Sequence, residues 1–268
     1  MLLIIFARGL VLVLLGLYLI ALVIAIFFSD QLIFQPQQAG YRDNAEILKL
    51  KSSDGARISA RYLANPNANF TILFSHGNAE DIGDVEVLLE GLRSAGFAVF
   101  AYDYQGYGTS EGKPSERHAY QDEDAAYDYL VQTLHTPSNR IIAFGRSVGG
   151  GPATDLASRR RVAGLVLESS FTSAFRVVTK LRVLPLDRFD NLRKIKKVHC
   201  PVLIIQGTRD SVIDASNGRR LFAAANDPKQ AFWVEGANHN DVAFVAGSRY
   251  SQSLREFVNL VQEYPLNR

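Results

Sequence analysis

One cysteine, Cys200, stands among 268 residues, so no internal disulfide forms and a multi-cysteine zinc site is excluded. Beside Pro201 it reads as a small buried hydrophobe. An excess of charge of one sign is nearly absent as well: 29 Lys and Arg against 27 Asp and Glu leave a net charge of +2. That is too little to draw a nucleic acid, and no motif of that class occurs, so no nucleic-acid partner is expected. Internal repeats and low-complexity segments are missing too, which leaves one large α/β domain with an appendage as the reading for this length.

The appendage is a long apolar run. Gly9 to Phe28 gives 20 uncharged residues, the length that spans a hydrocarbon core, and 15 of them are Leu, Ile, Val or Phe. At roughly −0.4 kcal/mol each near a helix centre, insertion gains about 6 kcal/mol at most. The run exceeds a signal-peptide core of about 7–15 residues and no small-x-small cleavage site follows, so residues 1–28 read as an uncleaved single-pass anchor. Arg8 precedes the span and the next basic residue is Arg42, so the positive-inside rule puts the N-terminus in the cytoplasm. The remaining domain, 29–268, would then lie on the outer side, periplasmic or lumenal.

Ser29 to Tyr41 reads as a polar, proline-punctuated linker. Two alternating runs from Glu46 to Leu63 around Ser53-Asp54-Gly55 signal a hairpin. Beyond it, short apolar runs alternate with helical patterns: strands at 70–74, 97–102, 140–144, 164–168, 201–206 and 231–234, helices at about 85–92, 119–134, 217–225 and 248–262. Strands separated by helices of this length imply right-handed crossovers and a mostly parallel sheet covered on both faces. Between Ser169 and Pro201 the alternation pauses, and residues of about 170–199 read as a short lid. Eight Arg and Lys against two Asp between Arg176 and Lys197 read as a solvated face, with contact to anionic headgroups as the alternative.

Every candidate for chemistry follows a strand, where such sheets bind ligands. Gly145-Arg146-Ser147-Val148-Gly149 joins a strand to a small-residue helix, and a serine on so sharp a turn requires neighbours without side chains. A serine hydroxyl needs a base within hydrogen-bond reach, and the base needs an orienting acid. His239 is the one histidine placed late and after a strand, in Gly236-Ala237-Asn238-His239-Asn240-Asp241. Asp210 follows the strand before it, in Gly207-Thr208-Arg209-Asp210, with Asp214 and Glu168 as rival acids. The expected roles are Ser147 as nucleophile, His239 as proton carrier and Asp210 as the group that fixes the imidazole. Backbone N–H groups of Val148 and Asn78 would form the oxyanion hole. His76 is expected to brace its own loop; His118, His135 and His199 fall on or near helix faces or before a strand.

From about Gln31 onward the chain resembles the α/β-hydrolase superfamily. Within it, the chain is similar to membrane-anchored α/β-hydrolase-domain proteins akin to serine-aminopeptidase-type hydrolases and protein depalmitoylases. The resemblance rests on His76-Gly77-Asn78-Ala79-Glu80-Asp81, Asp103-Tyr104-Gln105-Gly106-Tyr107-Gly108, Gly145-Arg146-Ser147-Val148-Gly149-Gly150, Glu168-Ser169-Ser170-Phe171-Thr172-Ser173, Gly207-Thr208-Arg209-Asp210 and Asn238-His239-Asn240-Asp241. It implies an α/β-hydrolase fold and an ester, thioester or amide hydrolase working through a Ser147 acyl-enzyme. Small-molecule, acyl or peptidyl substrates follow, with no metal and no organic cofactor. By it Ser147, Asp210 and His239 match the triad positions and Asn78 and Val148 the oxyanion positions. The sequence departs from the depalmitoylase branch in carrying a hydrophobic span where that branch has an N-terminal cysteine cluster. An aminopeptidase-like activity is the enzymatic alternative; it calls for an acid at the pocket mouth, with Glu168, Asp187 and Glu111 as candidates. A non-catalytic anchored scaffold is the remaining reading.

Overall fold

Thr71–Ser75, Ala98–Tyr102, Gly164–Glu168 and Val202–Gly207 carry side chains that are all buried, so these strands need cover on both faces. A computed structural model, describing residues 2–179 and 187–264, supplies that cover from helices. The strands are β1 (Ile47–Lys51), β2 (Arg57–Leu63), β3 (Thr71–Ser75), β4 (Ala98–Tyr102), β5 (Ile141–Arg146), β6 (Gly164–Glu168), β7 (Val202–Gly207) and β8 (Lys229–Val234). They form one sheet in the order β1-β2-β4-β3-β5-β6-β7-β8. The β1–β2 and β2–β4 pairs are antiparallel and all others parallel.

Alternate residues of each strand feed opposite cores, as a period of two requires. Leu73, Phe100, Ala143, Leu165 and Ile204 face α4 (Glu116–Asp128) and α5 (Gly150–Arg159). Ile72, Val99, Phe144, Val166 and Leu203 face α3 (Glu86–Ser94) and α10 (Ser248–Glu263). This is the α/β-hydrolase fold. The remaining helices are α1 (Leu2–Phe27), α2 (Ser29–Ile33), α6 (Ala174–Thr179), α7 (Asn191–Lys194), α8 (Ser216–Ala224) and α9 (Val242–Ala246).

Several expectations shift. The segment after α1 is a linker only in part: its start coils into α2 and Phe34 is buried with its ring edge-on to Tyr104, Tyr107 and Phe189 at 6.4, 6.4 and 5.8 Å, while Gln35, Pro36, Gln37 and Gln38 stay exposed. One aromatic residue is enough to pin the segment to the core. Helix α4 begins at Glu116 rather than Ala119, because Ser115 Oγ caps it by accepting from His118 N at 3.1 Å, and after Asp128 the helix widens into a π-turn over Tyr129–Thr133. Strand β8 starts two residues earlier than its apolar run. The middle of the expected lid and of the basic cluster, 180–186, lies outside the described residues. Cys200 is buried, and burial pushes its thiol up to about 12.

Within α1, Arg8–Phe27 is long and apolar enough to cross a membrane by length and composition, with mean hydropathy 3.2 and almost no burial within the protein.

Candidate active site

Ser147 follows β5 directly and sits in the left-handed region, at φ +52°, which a residue with a side chain rarely adopts. The flanking glycines allow it. A Cβ on Gly145 would run into the backbone of Gly149 and Gly150, and one on Gly149 into the carbonyl oxygen of Ser75 at the end of β3. The serine therefore stands on a turn wedged between two neighbouring strand ends.

The loops after β7 and β8 reach the same point. His239 Nε2 lies 3.0 Å from Ser147 Oγ, and His239 Nδ1 lies 2.8 Å from Asp210 Oδ2. Asp210 is held on every side: its Oδ1 accepts from Val212 N at 2.9 Å and Ile213 N at 2.7 Å, and its Oδ2 also accepts from Gln206 Nε2 at 2.8 Å. Its side chain is fully buried against a histidine that is one-tenth exposed, so the carboxylate is fixed while the imidazole keeps an open edge. The rival acids are engaged elsewhere. Asp214 accepts from Ser216 N at the start of α8, and Glu168 accepts from Tyr250 O–H at 2.5 Å with Arg146 Nε at 3.5 Å.

The loop after β3 closes the other side. A Cβ on Gly77 would lie 3.5 Å from Ser147 Cβ. Gly77 N donates to Glu80 Oε1 at 2.6 Å, and the other Glu80 oxygen accepts from Arg146 at 2.8 Å. Arg146 also donates to Asn240 Oδ1 at 3.1 Å, so the residue before the serine ties the Gly77 loop to the His239 loop. The Asn78 side chain makes three bonds: Nδ2 donates to Ile33 O at 2.7 Å, and Oδ1 accepts from Gln35 N at 2.9 Å and from Tyr107 O–H at 2.6 Å. Asn78 and Val148 thus flank Ser147, the one tied to the chain after α1 and the other on the turn itself.

His76 behaves as a brace. It is fully buried, its Nδ1 is 2.7 Å from Gly77 O, its ring packs on Tyr104 and Tyr107, and burial lowers its pKa. Among the described residues no group of three or more His, Cys, Asp or Glu side chains could hold a metal ion. Three positioning residues carry no signal of their own in the sequence: Arg146, Glu80 and Gln206. The first two sit inside motifs marked by other residues, whereas Gln206 is the polar side chain of an otherwise apolar strand.

A cavity of about 460 Å³ opens onto Ser147. Asn78 and Val148 line it, and every other wall residue is apolar, among them Phe171, Phe175, Val212 and Ile213.

Residues 66–189 match the serine aminopeptidase S33 family. Over 222 residues the chain is 42% identical to α/β hydrolase domain-containing protein 17B of Xenopus tropicalis, covering 81% of this chain and 76% of that one. The chain belongs to the α/β-hydrolase family. The human 17B protein is 41% identical over 223 residues, with the same coverage. In three dimensions the chain is similar to an esterase of Pyrococcus furiosus, at a TM-score of 0.72 and 18% identity over 85% of this chain and 97% of that one. At that identity the likeness concerns the fold, and family membership makes the chain a hydrolase.

Proposed function

We propose that the chain is a membrane-anchored serine hydrolase that cleaves an ester or thioester through an acyl-enzyme on Ser147. The observation that carries the reading is the unbroken path from Ser147 Oγ through His239 to Asp210, at 3.0 and 2.8 Å. Ser147 Oγ attacks the carbonyl carbon as its proton passes to His239 Nε2, while Asp210 accepts from Nδ1–H and stabilises the imidazolium. The negative charge that builds on the carbonyl oxygen meets the backbone N–H groups of Val148 and Asn78. Collapse expels the alcohol or thiol, which takes the proton from His239. Water then repeats the sequence, freeing the acid and restoring Ser147.

The apolar walls favour an acyl group over a charged peptide. Each acid that could hold a substrate amine is already engaged: Glu168 by Tyr250 and Arg146, Asp187 by Ser173 Oγ, Phe175 N and Arg188 N, and Glu111 by Arg57. Arg8–Phe27 serves as the anchor, with Arg8 keeping the N-terminus in the cytoplasm and the catalytic domain on the outer side. The segment of about 170–199 serves as a short lid, contributing Phe171, Ala174, Phe175 and Val177 to the cavity wall.

The test compares 4-nitrophenyl acetate, an acyl thioester and alanine 4-nitroanilide, each with wild type and Ser147→Ala. Ester and thioester turnover that disappears in the variant supports the proposal. Release of nitroaniline without ester turnover would transfer the site to a peptidase, and no turnover of any substrate by folded protein would leave a binding scaffold.

A further inference from the structure

The cavity over Ser147 is not walled by the catalytic domain alone. Ala21, Ile24 and Ala25 of α1 and Leu32 and Ile33 of α2 line it together with Ser147. Among the described side chains of α1, Ala25 is the one that is buried; its neighbours stand out toward the surroundings. Ala21 and Ala25 are the two alanines of the Gly9–Phe28 run and sit four residues apart, on one helical face. Every larger residue type in that run would narrow the space they leave.

We propose, on the footing that Ser147 is the nucleophile, that α1 is one wall of the acyl site as well as the anchor. The substrate is a long-chain acyl ester or thioester whose chain enters from the bilayer along Ala21 and Ala25. Depth supports the route. At 1.5 Å per residue, Ala25 lies about 3 Å and Ala21 about 9 Å inside the Phe27 end of the span, within the hydrocarbon. A chain lying there reaches the cavity without entering water, where each exposed methylene would lower its population about fourfold. Phe28, Leu32 and Val212, about half exposed, extend the same apolar surface at the mouth. The wall is also held in place: Asn78 bonds to Ile33 O and Gln35 N, Arg188 Nε donates to Ser29 Oγ at 2.9 Å, and Phe34 is locked among aromatic rings.

The experiment uses the full chain in phosphatidylcholine vesicles and reads the ratio of kcat/KM for 4-nitrophenyl palmitate to that for 4-nitrophenyl acetate. Ala21→Trp places a ring at an exposed point of the wall, Ala21→Leu fills it partly, and Val23→Trp puts the same ring on the opposite face of the helix, away from the cavity. The ratio is expected to fall tenfold or more in Ala21→Trp, less in Ala21→Leu, and to stay within twofold of wild type in Val23→Trp. Ratios within twofold of wild type in both Ala21 variants, or an equal fall in Val23→Trp, overturn the wall. Wild type that turns over neither ester overturns the Ser147 reading itself.

Discussion

Asn78 Nδ2 donates to the carbonyl oxygen of Ile33 at 2.7 Å, so a residue that lines the cavity beside Ser147 also grips the chain just beyond the apolar helix. One asparagine thus serves both α2 and the cavity wall. The same side chain accepts from Tyr107 O–H, which in turn accepts from Gln35 N at 2.9 Å.

Asn78→Ala removes those side-chain bonds and keeps the backbone donor, loosening the loop that carries it. A fall in kcat of about 10- to 100-fold with little change in KM is expected, less than the roughly 10²–10³ lost when an oxyanion donor itself is removed. Steady-state kinetics on 4-nitrophenyl acetate give the split, and a KM effect alone would contradict it.

Asp210→Asn keeps the shape of the side chain but offers His239 an amide in place of a carboxylate. The imidazole then loses its fixed tautomer and the partner of its cation, and kcat is expected to fall about 10⁴-fold. Asp214→Asn, at the start of α8, is expected to stay within a few-fold of wild type.

Gly149→Ala forces a methyl group against Ser75 O and the end of β3. Both partners are backbone within the sheet and cannot yield, so the loss should match or exceed the roughly 1–3 kcal/mol typical of overpacking. Thermal unfolding in detergent measures it; a variant as stable as wild type would contradict the close approach of the turn to Ser75 O.

Burial holds the Asp103 carboxyl up at about 7, against an ordinary value of 3.8, with Tyr41 O–H donating at 2.5 Å, Ile82 N at 2.8 Å, and Asp81, Asp84 and His76 nearby. The folded chain therefore keeps this proton where the unfolded chain has lost it. Stability from this group is complete below the unfolded value and is lost as pH rises through about 7. Between pH 5 and 8 the change is on the order of 2 kcal/mol. Asp103→Asn cannot titrate, so its melting temperature should gain on wild type across that interval; a constant difference would contradict the assignment.

Much of this was legible in the sequence because the central strands are apolar on both faces and each ends in a marked loop. Ser147 and Asp210 each follow such a strand and His239 follows the edge strand β8, and the structure brings their polar atoms within 3.0 Å. The lapses share a cause. Phe34 lies in a stretch rich in Gln and Pro, and only the aromatic cluster of Tyr104, Tyr107 and Phe189 makes it core. Gln206 and Arg146 act through partners distant in the chain, which local pattern does not report. Nor does hydrophobicity reveal that Ala21 and Ala25 of α1 line the cavity, since a membrane span and a pocket wall are apolar for different reasons.

The most direct test of the central claim is where a fluorophosphonate binds. Labelled wild type, digested and mapped by mass spectrometry, is predicted to carry one phosphonyl group on the peptide containing Ser147, with labelling abolished in Ser147→Ala and strongly slowed in His239→Ala. A folded wild type that remains unlabelled, or an adduct that persists in Ser147→Ala, would contradict the account.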